Sequence, residues 1–151
     1  MATDDSFEIV KELPIFGKST GRIFSRLVIN KMGWHITMHA IYPSDLRFKA
    51  PIIKLYKDDI SNLSVFLKGM MDKIRELKGV IPENKLYEDQ TSIQTILIHY
   101  IVFQNRTKIH FYFPYRSGIG VQLTEDEVKN MLDVLNGVPA MAENIKNAIT
   151  Y

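Results

Sequence analysis

The 151-residue chain contains no cysteine. That excludes a disulfide framework, thiolate zinc sites, iron–sulfur clusters and cysteine nucleophiles together. It fits an intracellular setting, whether cytoplasm, nucleoid or nucleus. No apolar run reaches the ~18–20 residues that a membrane-spanning helix needs. The polar, acidic start Met1-Ala-Thr-Asp-Asp-Ser-Phe7 is unlike a secretory leader, so no membrane partner is expected. Also missing are a phosphate-binding G-x-x-x-x-G-K-[ST] loop, a G-x-G-x-x-G dinucleotide fingerprint, an H-E-x-x-H zinc helix and a G-x-S-x-G elbow. Gly118-Ile-Gly120 is too short for a dinucleotide site and reads as a turn or bulge at a strand start. The carboxylate pairs Asp58/Asp59 and Asp126/Glu127 fall where helices begin, and capping explains them. The expectation is a non-enzyme without cofactor or metal.

What is present fits a soluble globular chain. Apolar residues make up 46% and charged residues 24%, a balance far from that of disordered chains. The length fits one compact unit. The net charge of +2 hides a strong segregation. Between Gly17 and Lys57 lie Lys18, Arg22, Arg26, Lys31, Arg47, Lys49, Lys54 and Lys57, against the single acid Asp45. Between Gln90 and Gly118 lie Arg106, Lys108 and Arg116, with no acid. All the remaining carboxylates fall outside these two stretches.

The basic stretches read as strands. Residues 22–29 are rich in β-branched and aromatic side chains, Asn30–Gly33 supplies a turn, and Trp34–Tyr42 alternates with period two. Pro43-Ser-Asp45 makes a turn, and Phe48–Lys57 is a further extended run. Phe7–Phe16 is a candidate first strand, with Pro14 pointing to a sheet edge. A helix follows, capped by Asp58 or Asp59, with Ile60, Leu63, Phe66, Leu67, Met70, Met71, Ile74 and Leu77 at helical spacing. Gly79 and Pro82 end it.

The pattern then starts again. Strands are expected at 85–95, 96–104, 107–113 and 119–123, with Asn105-Arg106 as a turn. Thr124-Glu-Asp-Glu127 is a capping box opening a helix that Gly137 stops, and Pro139 starts a last helix to about Thr150. Laying Ile52–Met70 over Gly120–Val138 matches Leu55 with Leu123, Asp58 with Asp126, Asn62 with Asn130, Leu67 with Leu135 and Gly69 with Gly137. Upstream, His39 and Pro43 fall on His110 and Pro114, with a three-residue difference in spacing absorbed by the intervening loop. These matches point to an internal ββββα duplication, repeat one at about 7–79, repeat two at about 85–138 and a C-terminal helix at about 139–150. The fold class expected is α+β, two curved antiparallel sheets each backed by a helix and arranged as a pseudo-dimer.

Alternation assigns the faces. Ile36, Met38, Ala40 and Tyr42 share a core face, as do Ile109, Phe111 and Phe113. Opposite them stand His35, Thr37, His39 and Ile41 in the first half, and Lys108, His110 and Tyr112 in the second. Neighbouring strands add Arg22, Phe24, Arg26 and His99, and also Lys54 and Tyr56 if Ile53 and Leu55 point inward. Cations neutralise phosphates and flat rings stack on bases, so this acid-free mixture suits single-stranded nucleic acid. The competing reading is an ordinary solvated sheet face. Trp34 reads equally as a stacking platform or as a plug at the end of the core. His35 and His39 stand roughly 13 Å apart on a strand, too far to share a metal.

Ile15-Phe-Gly-Lys18, the basic strand 22–29, the strand Trp34–Tyr42 and Ile119-Gly-Val-Gln-Leu-Thr-Glu-Asp-Glu127 opening a helix resemble the single-stranded-DNA-binding transcriptional coactivators of the positive-cofactor-four type. Whirly and Pur-repeat proteins are similar tandem arrangements. The likeness spans about residues 7–137. The first half departs from the motif, because Ile52–Asp59 lacks its Gly and Thr, and the lysine-glycine-asparagine-lysine-alanine signature of Whirly proteins is missing. The resemblance implies binding of melted DNA or RNA through sheet residues. The candidate binding residues are Lys18, Arg22, Phe24, Arg26, Trp34, His39, Lys54, Lys108, His110 and Tyr112. A homo-oligomer is compatible with this reading. The alternative is a protein-interaction or assembly module using sheet edges and the C-terminal helix.

Overall fold

A computed structural model describes residues 7–18, 20–42, 51–114 and 120–149. The expected turn at Pro43–Asp45, the cations Arg47, Lys49 and Arg116, Gly118 and Ile119 of the glycine motif, and Thr150 lie outside the described residues. The architecture is α+β, with two antiparallel four-stranded sheets and two helices. Sheet one is β1 (Glu8–Glu12), β2 (Arg22–Asn30), β3 (Gly33–Ile41) and β4 (Ile53–Leu55), paired in chain order. Helix α1 (Lys57–Leu77) follows. Sheet two is β5 (Tyr87–Ile93), β6 (Ile96–Phe103), β7 (Arg106–Tyr112) and β8 (Gly120–Leu123), again in chain order, and α2 (Glu125–Ile149) ends the described chain.

Period-two burial explains the sheets. Ile23, Leu27 and Ile29 of β2 and Ile36, Met38 and Ala40 of β3 point inward; in sheet two so do Ile98, Tyr100 and Val102 of β6 and Ile109 and Phe111 of β7. Ile53 and Leu55 also face inward, which turns Lys54 outward. Each fully buried leucine or isoleucine contributes about 2 kcal/mol of hydrophobic stabilisation. The helices cross over. Phe66 of α1 meets Tyr100 of β6 edge-on at 6.0 Å, and Lys73 Nζ sits 5.4 Å above the Tyr87 ring of β5. Met131 and Leu135 of α2 instead pack over Ser25, Ile36 and Met38 of sheet one. Each helix thus touches the sheet of the other half, and one buried cluster spans both sheets and both helices.

Several local expectations are corrected. β1 ends at Glu12 because Pro14 has no N–H to donate, although Phe16 still bridges Ile23. The cap of α1 is Tyr56, whose backbone N–H donates to Asp59 Oδ2 at 2.9 Å, so Asp59 closes the turn from inside the helix. Gln104-Asn105 makes the β6–β7 turn, with Gln104 at φ 54°, and Arg106 opens β7. Gly137 and Pro139 do not break α2. Pro139 forfeits only its own N–H, and burial of Val138 and Ala142 on either side outweighs that loss.

The two halves also share a pattern of burial. Shifted by the 68 positions that separate Leu55 from Leu123, the buried residues of α1 (Ile60, Leu63, Leu67, Met70, Ile74) land on those of α2 (Val128, Met131, Leu135, Val138, Ala142). For the strands the shift is larger. The hairpin pairs Asn30–Gly33 and Phe103–Arg106 are related by 73 positions, as read from Gly33 to Arg106. On the ladders Thr37 takes the place in sheet one that His110 takes in sheet two, and His39 the place that Tyr112 takes. The length difference between halves is five residues, the gap between 73 and 68, rather than three.

Candidate nucleic-acid interface

The register fixes the outer faces. On sheet one, Glu12 of β1, Arg26 of β2, Thr37 of β3 and Lys54 of β4 lie in one row. Val10, Val28 and His35 form a second row, and Phe24 with His39 a third. Arg22 opposite Ile41 closes that end. On sheet two the outer rows are Arg106 with Phe103, Lys108 with Ile101 and Glu88, and His110 with His99, Gln90 and Gln122; Tyr112 stands with Leu97.

The rings on these faces are in contact. Phe24 stacks on His39 at 5.5 Å with an 18° interplanar angle, and His110 stacks on Tyr112 at 5.8 Å and 26°. His35 leans on Tyr56 at 5.5 Å. Tyr112 lies so close to Gly120 that a Cβ there would come within 2.9 Å of the ring, so glycine is what lets the ring settle over β8. Three of the four histidines titrate below the ordinary 6.5. Burial is the main cause for His35, with Lys54 adding and Glu8 opposing. Burial also leads for His39, with Arg26 adding and Glu12 opposing. For His110 it is burial, then His99 and Lys108. At neutral pH these three rings are uncharged stacking surfaces.

The outer faces are not free of acid, contrary to expectation. Edge strands β1 and β5 bring Glu8, Glu12 and Glu88 onto them. Glu12 Oε1 holds Arg26 Nε at 2.7 Å, and Glu88 Oε2 lies 3.0 Å from His99 Nε2. The antiparallel register places Glu12 directly opposite Arg26 and Glu88 diagonal to His99. Two other expected positions also differ. Lys18 sits off the strands, in a groove with Asp126 and Glu127 at the start of α2. Trp34 belongs to the inward-facing set of β3, half-buried against the core, so it is a plug with one edge lining a cleft. Arg22, Phe24, Arg26, His39 and Lys54 do come together on sheet one, and Lys108, His110 and Tyr112 on sheet two.

The two sheets are stitched at one seam. Gln122 N–H of β8 donates to Thr20 Oγ1 at 2.8 Å, just before β2 begins. Gly17 N–H donates to Glu127 Oε2 at 2.6 Å, and Gly17 has φ +94° with the Gly21 carbonyl 2.4 Å from where a Cβ would stand. Sequence reasoning missed the apolar outer residues Leu97, Ile101 and Phe103, which alternation alone would have placed. It also placed Lys57 at the end of an extended run rather than at the start of α1, and it missed Lys146; both reach the end of sheet one from the helices. Among the described residues no group of three or more His, Asp or Glu side chains could hold a metal, and no helix is long and apolar enough to cross a membrane. No protein-family model matches the chain, and no curated protein matches it in sequence.

Proposed function

We propose that the chain binds single-stranded nucleic acid with little sequence preference, across the outer faces of its two sheets. The observation that carries this reading is the alternation of cations with uncharged stacked rings. Arg22 and Arg26 flank the Phe24–His39 stack, and Lys108 adjoins the His110–Tyr112 stack. Guanidinium and ammonium groups take phosphates, releasing counterions. Rings offer every base a π-face regardless of identity. Binding is the whole mechanism, and no bond is made or broken.

The same reading treats the two ββββα stretches as duplicated units paired as a pseudo-dimer. The shared burial pattern of α1 and α2 and the crossing of each helix onto the other half's sheet support it. The resemblance to positive-cofactor-four-type and Whirly proteins agrees with that pairing.

Fluorescence polarisation with a labelled oligo-thymidine, the matching duplex and an RNA of equal length tests the function. Single strands are expected to bind more tightly than duplex, with log affinity falling by about 0.7 per phosphate contact for each log unit of salt. Arg22→Ala combined with Lys108→Ala is expected to weaken binding about tenfold or more, two contacts at about 1 kcal/mol each sufficing. Absence of binding, or an affinity indifferent to salt, overturns the reading and leaves an assembly module that uses the β1 edge, where Val10 is exposed.

A further inference from the structure

An open cleft of about 550 Å³ lies at one end of sheet one, where the β2–β3 turn, the start of α1 and the end of α2 meet. Its charged lining is Lys54, Lys57 and Lys146 against Glu143 as the sole carboxylate among the described residues. Its flat lining is Trp34, His35 and Tyr56. Asp59, the acid nearest to the Tyr56 backbone, has its Oδ2 occupied by that N–H and by Gln94 Nε2 at 2.8 Å, and it does not line the space. His35 is buried, and its ring contacts Tyr56. Lys54 and His35 belong both to this cleft and to the outer face, so the two surfaces are continuous.

A strand lying on that face therefore runs into a pocket with two kinds of lining. Ammonium groups suit a dianionic phosphate, which carries more charge than the internal phosphodiesters bound along the face. Indole, phenol and imidazole rings suit a base. The volume lies within the range of small-molecule sites. We propose that this cleft seats the terminal nucleotide of the bound strand, with its end phosphate among Lys54, Lys57 and Lys146 and its base against Tyr56 and Trp34. The proposal deepens the strand-binding reading above and rests on it for its biological context. The cleft itself can be tested separately.

Trp34 is the only tryptophan of the chain, so any change in tryptophan emission arises at this residue, which lines this cleft and the neighbouring hollow beside Ser61 and Pro139. Titration with thymidine 5′-monophosphate is expected to change Trp34 emission saturably, with thymidine at least about tenfold weaker. Lys57→Ala with Lys146→Ala, both away from the sheet faces, is expected to abolish that preference. Oligo-thymidines ending in a 5′-phosphate, a 3′-phosphate or hydroxyls at both ends identify which end is taken. One phosphorylated form is expected to bind about five- to tenfold tighter than the hydroxyl form in the wild type, and equally in the double variant. Unchanged Trp34 emission up to about 10 mM monophosphate, together with equal affinity for all three oligonucleotides, overturns the terminal site while strand binding stands. If no oligonucleotide binds but the monophosphate does, the face reading fails and the cleft remains a nucleotide site.

Discussion

The two helix starts occupy corresponding places and are built unequally. In each, the third helical residue is a carboxylate that accepts the backbone N–H of the capping residue. Asp59 takes Tyr56 N–H at 2.9 Å, and Glu127 takes Thr124 N–H at 3.2 Å. In each, the same carboxylate also reaches into the other half of the molecule. Asp59 takes the exposed side-chain amide of Gln94, whereas Glu127 takes the part-buried backbone N–H of Gly17. Glu127 has a further return bond, because Thr124 Oγ1 accepts the Glu127 N–H at 3.1 Å. A side-chain amide can turn to water when its partner goes, but a part-buried backbone N–H cannot. The contrast teaches that a corresponding position does not carry a corresponding energy.

The largest expected effect follows directly. Glu127→Ala is expected to lower stability by about 2–3 kcal/mol, and Asp59→Ala by about 1 kcal/mol. Urea unfolding midpoints of the two variants check this, and equal losses would erase the distinction between the helix starts. A second contrast is in histidine. The first half holds two rings whose pKa is lowered by burial, His35 and His39, and the second holds one, His110. A lowered folded pKa means the unfolded chain binds more protons, so their contribution is complete above 6.5 and is lost as pH falls through the lowered values. Thermal midpoints measured from pH 7.5 down to 5 are expected to fall, and His39→Gln is expected to flatten that fall more than a change at exposed Gln90 does. Under the proposed function, oligonucleotide affinity moves the opposite way and rises as the rings gain charge.

The smallest effect concerns the edge strands. Glu12 engages Arg26 in an exposed pair worth at most about 1 kcal/mol. Glu12→Gln is expected to release that guanidinium and tighten oligo-thymidine binding about two- to threefold at low salt. Polarisation titrations of wild type and variant measure it, and an unchanged affinity would place Arg26 outside the contact surface.

Much of the element order was legible because alternation and helical spacing are local signals. Trp34–Tyr42 and the run from Ile60 to Leu77 are cases where one period dominates. What failed was non-local. The carboxylates of β1 and β5 reach the outer faces through pairing register, which links residues far apart in sequence. The break expected at Gly137–Pro139 lost to burial of Val138 and Ala142, which only tertiary packing supplies. The His39–His110 identity misled because chance matches of residue type do not track ladder position. The cleft at the end of sheet one was invisible since its lysines come from three separate elements.

Pro139 gives that cleft a particular weakness. The Leu135 carbonyl has no proline N–H to accept one turn later, so the final ten residues of α2 are joined to the rest of the helix by one rung fewer. Glu143 and Lys146 ride on that last stretch. Fraying from the carboxyl end would therefore dismantle one wall of the cleft before it disturbed either sheet, and hydrogen exchange there is expected to outpace exchange in the stretch from Val128 to Leu135.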